Sequence, residues 1–119
     1  MKTLVFFLLG CFIISCNLED SRLVHKKEYS FNELTVNFIR GTRATTFIKN
    51  GKPISGIVVQ NLRRGGKNIW EVQNGLAIKQ TRYYSNGEKF VEQFYENGEP
   101  VGTWHRWNRD GELVETTRH

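Results

Sequence analysis

The sequence contains few of the residues from which metal sites and catalytic centres are built. Of its 119 residues only two are cysteine and three histidine, and the aspartates are Asp20 and Asp110 alone. No Cys or His spacing suits zinc, and no acidic loop has the calcium-binding pattern. These absences predict a protein that has no metal and no cofactor and is not an enzyme.

His105 is the one candidate left for catalysis. It lies in the stretch "TWHRW", and neighbouring strands are predicted to place Glu92 or Glu115 beside it. An envelope hydrolase that uses His105 is therefore the third of three functional hypotheses. The alternative is a surface histidine in a half-exposed strand.

A continuous basic stripe is also absent. The formal net charge is +5, but the basic residues are scattered, with short clusters only at 25–27 and 63–64. A nucleic-acid reader would show a basic stripe or patch, so no nucleic-acid partner is predicted. Attraction to anionic lipid or polysaccharide is the interpretation that this charge favours.

The only long apolar run occupies residues 4–14, and Lys2 stands shortly before it at the start of the sequence. A membrane-spanning helix needs about 20 apolar residues, so this run is too short to be one. A charged start, a short apolar stretch and small residues beyond it are the layout of a secretory signal. The alternative is a buried N-terminal helix, although the segment has no polar face.

The end of this run resembles the lipobox of bacterial lipoproteins. "Ile13-Ile14-Ser15-Cys16" has an aliphatic residue, a tolerant position, a small residue and then cysteine. The resemblance implies cleavage before Cys16, a diacylglycerol on its sulfur and an acylated amino group, which together give a stable anchor. Asn17 in the second mature position implies the outer membrane. The alternative is that Cys11 and Cys16 are ordinary small apolar residues.

Asn-Gly and Asp-Gly dipeptides punctuate the rest of the chain. They occur at 50–51, 74–75, 86–87, 97–98 and 110–111, and a glycine pair at 65–66 falls in the widest gap. The spacing indicates a turn about every 12 residues and a higher period of 23–24 residues. Asn-Gly and Asp-Gly suit type I′ hairpin turns, so tight turns of this type are predicted at these dipeptides, and the glycine pair can serve as the missing turn.

Between the turns lie short runs rich in β-branched and aromatic residues, and helix signals are poor after residue 35. We predict an all-β fold: a single elongated antiparallel meander of about eight strands, built from hairpin repeats and without a second layer. The predicted organisation is a signal peptide at 1–15, a lipidated N-terminus and tether at 16–30, and the repeat domain at 31–119.

Residues 82–115 read "RYYSNGEKFVEQFYENGEPVGTWHRWNRDGELVE". This stretch resembles the MORN-type repeats of bacterial YwqK-like antitoxins. With "FIKNGKPISGIV" upstream, the likeness covers about residues 44–117. It implies a β-repeat architecture and an antitoxin or immunity protein that acts on a co-encoded toxin. The residues that match the pattern are Tyr83, Tyr84, Asn86, Gly87, Glu92, Tyr95, Asn97, Gly98, Gly102, Trp104, Trp107, Gly111 and Glu115.

The favoured function is that of a lipid-anchored, non-enzymatic binding or scaffold module on the bacterial envelope. A repetitive sheet offers a long surface without a deep pocket, which suits a protein or an envelope glycan strand. The alternative is an antitoxin or immunity protein that blocks its toxin by contact. The candidate contact residues are Tyr84, Trp104, Arg106 and Trp107, and the predicted partners are the membrane, reached through the lipid, and a protein, a toxin included, or a glycan.

Overall fold

The structure of the protein, a computed structural model, describes residues 26–40 and 44–119. The predicted signal peptide, the cysteines and most of the tether lie outside the described residues. The described residues form ten strands and a one-turn 3-10 helix (Phe31–Glu33). The strands are β1 (Glu28–Ser30), β2 (Thr35–Phe38), β3 (Thr45–Lys49), β4 (Lys52–Pro53), β5 (Gly56–Asn61), β6 (Lys67–Gln73), β7 (Leu76–Tyr83), β8 (Lys89–Glu96), β9 (Glu99–Trp107) and β10 (Leu113–Arg118).

The predicted all-β meander is confirmed. Strands β5 to β10 follow one another in an antiparallel sheet in chain order. The described residues contain two strands more than the eight expected, because β1 and the two-residue β4 carry no sequence signal of their own. β1 pairs with β5 in parallel, with Tyr29 opposite Val58. The sheet therefore begins at Glu28, within the segment assigned to the tether.

Three Asn-Gly turns have the predicted type I′ geometry. Asn50, Asn74 and Asn97 have φ of 53°, 48° and 50°, and the glycine after each is also positive. They join β3 to β4, β6 to β7 and β8 to β9. Both central residues of a type I′ turn need positive φ, which asparagine and glycine tolerate best.

The prediction of type I′ turns is wrong for Asn86-Gly87 and Asp110-Gly111. There only the glycine has a positive φ. Between β7 and β8, Tyr84 N donates to the Glu88 carbonyl (2.8 Å) and Gly87 N to the Tyr84 carbonyl (3.1 Å). This is the longer hairpin loop in which a type I turn is followed by a left-handed glycine.

The same pair of hydrogen bonds closes residues 62–66 and 108–112, so the glycine pair at 65–66 does supply the missing turn. Two-residue turns and longer loops thus alternate along the chain. Successive strands run in opposite directions, so one class lies at each end of the strands. The 23–24-residue period is therefore a strand pair bounded by one turn of each class.

The hydrophobic core lies entirely in the N-terminal half of the described residues. Trp70 is its centre, with the rings of Phe31 and Phe47 at centroid distances of 5.4 and 5.5 Å. Contrary to the expectation of a single layer, the 3-10 helix and the β2–β3 hairpin cover one face of β5 and β6. The buried core residues are Tyr29, Phe47, Ile54, Val58, Trp70 and Val72, and Phe31, Leu34, Val36 and Ala77 pack against them.

Candidate partner-binding surface

The C-terminal three strands are accessible on both faces. None of the residues of β8, β9 or β10 is buried, and every residue of β10 is exposed. The aromatic rings of this half are therefore held by their neighbours in the sheet and not by a covering layer. Such a surface can contact a partner without any rearrangement of the backbone.

Register pairing identifies the two faces of this sheet. Val58, Trp70, Gln80 and Gln93 are successive partners across β5 to β8 and share one side. The N-terminal hairpin, formed by β2 and β3, covers this side over β5 and β6. We call this side the hairpin face. We call the other side, with Thr81, Glu92, His105 and Thr116 in successive register, the open face.

Trp104 stands on the hairpin face in a fixed position. Its Nε1 donates to the Phe94 carbonyl at 3.0 Å. Its ring lies between Tyr95 (5.2 Å) and His119 (4.4 Å) and remains half-buried. An irregularity in the β8–β9 pairing around Gly102, whose φ is +69°, sets the direction of the ring. A bulge of this kind re-aims the side chains beside it.

Arg106 lies on the same face and is exposed. Its Nη2 donates to Glu115 Oε2 at 3.2 Å, and the two side chains are 46% and 55% accessible. An ion pair this exposed contributes little to stability, about 0–1 kcal/mol. The guanidinium can therefore exchange its carboxylate for one on a partner at small cost.

These residues belong to one shallow depression on the hairpin face of β8 to β10. We call it the shelf. It combines an immobilised indole, an exposed guanidinium and small polar groups. The shelf residues on the hairpin face are Val91, Gln93, Trp104, Arg106, Glu115 and Thr117, and His105 also lines the depression.

The other two predicted contact residues lie elsewhere. Trp107 is on the open face, where His105 stacks on it at 5.6 Å and Lys89 Nζ lies 5.7 Å from its centroid. Tyr84 lies at the β7–β8 loop, where its hydroxyl donates to the Trp107 carbonyl at 2.8 Å. The structure therefore brings together Trp104 and Arg106, but not Trp107.

The open face carries a row of alternating charges that the sequence interpretation described only as scattered. Lys26 and Lys79 both approach Glu71, at 2.7 and 3.9 Å. Lys79 and Lys89 both approach Glu92, at 3.9 and 3.1 Å. Only Glu71 and Lys79 among these are register partners, so the row can be recognised only once the register and the fold are known.

His105 is the register partner of Glu92, as predicted. No group of three or more His, Cys, Asp or Glu side chains that could hold a metal occurs in residues 26–40 and 44–119. Every buried polar side-chain atom within these ranges has a hydrogen-bond partner. The fold and this surface define the chain as an open β-repeat sheet with an uncovered C-terminal half.

Comparisons with known proteins add no family to this description of the fold. No family model, no curated protein and no solved structure matches the chain. Across the described part of the chain there is also no helix long and apolar enough to cross a membrane.

Proposed function

We propose that the protein is a lipid-anchored, non-enzymatic binding module of the bacterial cell envelope, and that the shelf contacts its protein partner. The observation that carries this proposal is the half-buried Trp104, immobilised beside the exposed Arg106 on an uncovered sheet. Tryptophan and arginine are the residues that most often dominate binding energy at interfaces. A ring that is already fixed loses little conformational freedom on binding.

The anchor rests on Cys16 and the apolar run before it. That segment fits a bacterial lipoprotein of the outer membrane. A lipid on Cys16 would hold the sheet close to a bilayer. The resemblance to YwqK-like antitoxins supports a second candidate, in which the shelf blocks a toxin by contact. Both candidates use the same surface and differ in the identity of the partner.

Replacing Cys16 by serine tests the anchor. Cys16→Ser should abolish incorporation of labelled palmitate and release the protein from the membrane fraction or stall its precursor, because the thioether needs a thiol. Cys11→Ser is the matched control and should leave both measurements unchanged, since Cys11 lies within the predicted signal. Full membrane partition of Cys16→Ser would contradict the anchor.

Photo-crosslinking from intact cells tests the shelf. Thr116 and Thr117 are adjacent and both exposed, yet they face opposite sides of the sheet. A photo-reactive residue at Thr117, beside Trp104, should capture one defined protein, whereas the same residue at Thr116 should not. Equal capture from both positions would contradict a site confined to the shelf.

Substitutions at the two tryptophans then measure the energy of that contact. Trp104→Ala should weaken partner binding roughly thirtyfold, since an interface tryptophan contributes about 2 kcal/mol or more. Trp107→Ala, on the open face, should weaken partner binding much less. Arg106→Ala changes an exposed residue of the shelf and should leave the fold intact. Equal losses of binding for both tryptophan variants would contradict the assignment of the contact to the shelf. Inhibition of the captured protein's toxic activity would favour the antitoxin candidate.

A further inference from the structure

Three lysines border an open cavity beside Tyr29 at the N-terminal edge of the sheet. Lys27 Nζ lies 5.2 Å and Lys49 Nζ 5.6 Å from the centroid of its ring. Lys52 is the register partner of Lys49 across the β3–β4 turn. All three border one open cavity that Asn50 and Ser55 also line. We call this cluster the lysine site.

The lysine site carries more positive than negative charge. Among the described residues, Lys49 has an ion pair with Glu33 at 3.7 Å, while Lys27 and Lys52 have no carboxylate partner. The charge row of the open face differs, because there each carboxylate lies between two lysines. An excess of ammonium groups around a concave polar surface attracts an anion that has several oxygen acceptors.

The backbone holds these lysines in place. The Lys27 carbonyl accepts a hydrogen bond from Ile57 N at 2.8 Å and lies directly against Gly56. Lys49 and Lys52 flank a type I′ turn, whose geometry is fixed by Asn50 and Gly51. The site is therefore formed before any ligand arrives, and only side-chain rotation is needed for binding.

The position of the lysine site relative to the predicted anchor identifies its ligand. Lys26 follows Cys16 by ten positions, with nine residues between them. At most about 3.6 Å per position, they allow a separation of no more than about 36 Å. An acylated Cys16 would therefore keep the lysines within reach of the phosphate groups of the same bilayer. Lysines close to an anionic bilayer are attracted to it through charge.

We propose that the lysine site binds the phosphate-bearing headgroups of anionic lipids and orients the sheet on the membrane. This proposal rests on the lipid anchor of the proposed function. The anchor alone would leave the sheet free to rotate on its tether. Contact through the lysines would fix the N-terminal edge on the bilayer and leave the shelf, several strands away, open to a partner.

Lysine protection in vesicles tests the proposal. The acylated full-length protein is reconstituted in neutral phosphatidylcholine vesicles and in vesicles that also contain phosphatidylglycerol. Acetylation of each lysine by an amine reagent is then followed by mass spectrometry. Lys27, Lys49 and Lys52 should react roughly fivefold more slowly in the anionic vesicles. About 0.5 M salt should remove the difference, because salt screens exposed charges.

Lys67 is the matched control. It lies over the ring of Tyr83 at 5.8 Å, as Lys27 lies over Tyr29, but near the β5–β6 loop. Its reactivity should be the same in both kinds of vesicle. Equal reactivity of the three site lysines in both vesicles would overturn the proposal. So would equal protection of Lys67, since that would indicate general adsorption.

Flotation separates this proposal from the anchor. An anchored protein floats with neutral vesicles, whereas a protein without an anchor does not. In the second case the lysine site alone should still carry the full-length chain to anionic vesicles, and Lys27→Gln, Lys49→Gln and Lys52→Gln combined should reduce that binding at least tenfold. No reduction would overturn the proposal. Protection of the lysines by inorganic phosphate or by an anionic polysaccharide, but not by anionic vesicles, would also overturn it.

Discussion

Replacing Phe47 by alanine should destabilise the domain by about 3–5 kcal/mol, the usual range for losing a buried phenylalanine. Phe47 is fully buried, packs on Trp70 and is the register partner of Val36. Its removal leaves a cavity between the N-terminal hairpin and the sheet. A domain of this size has a total stability of about 5–15 kcal/mol, so a large fraction would be lost. Urea unfolding followed by tryptophan fluorescence measures the change.

Phe38→Ala is the matched control for this substitution. Phe38 lies on the other strand of the same hairpin and is 80% exposed. Its replacement should change the free energy of unfolding by no more than about 0.5 kcal/mol, as is usual for an exposed position. Similar losses for the two phenylalanines would show that the hairpin does not bury Phe47 against the sheet. The comparison therefore tests the local second layer directly.

The meander was predictable because its signals are local. Asn50-Gly51, Asn74-Gly75 and Asn97-Gly98 each specify a two-residue turn through their own backbone preferences. The number of residues between them then sets strand length. The glycines at 87 and 111 also mark turns, but the dipeptide alone does not distinguish type I′ from the longer loop. That distinction depends on the hydrogen bonds which the flanking residues make.

Non-local features were not predictable from the residues alone. The parallel pairing of β1 with β5 joins segments that are distant in sequence, and nothing in "EYS" specifies that partner. The cover over Trp70 likewise depends on the path of the chain through residues 31–40. Sequence patterns report which residues prefer to be buried, but they do not report which face of a two-sided sheet receives the cover.

The division of the candidate contact residues could have been predicted in part. Trp104 and Trp107 are three positions apart, an odd number, so alternation along a strand places them on opposite faces. Their common aromatic character concealed this. The relation of Trp104 to β8 was beyond prediction, because the pairing irregularity between Glu92 and Phe94 shifts the register there. A bulge changes which residues face one another without an unambiguous signal in the sequence.

Replacing Gly98 by alanine should cost about 2–6 kcal/mol. The stretch "NGEPVGTW" begins with this turn, and the φ of Gly98 is +83°. A residue with a side chain is strained there by about 1–3 kcal/mol. A Cβ at this position would also lie 2.5 Å from the Cβ of Ala44, and overpacking of this kind adds about 1–3 kcal/mol. Denaturant unfolding measures the total.

Gly51→Ala separates the two contributions. Gly51 occupies the same position of an Asn-Gly turn with φ of +77°, but beyond its chain neighbours no atom lies within 4 Å of the point that a Cβ would occupy. Its replacement should therefore show only the backbone strain. The excess for Gly98→Ala reports the contact between the β8–β9 turn and Ala44, and adding Ala44→Gly should recover part of it. Equal losses at the two glycines, or no recovery, would show that this turn does not rest on the N-terminal hairpin. The stretch would then serve as a turn alone, whereas the expected excess makes it also a point of contact with Ala44.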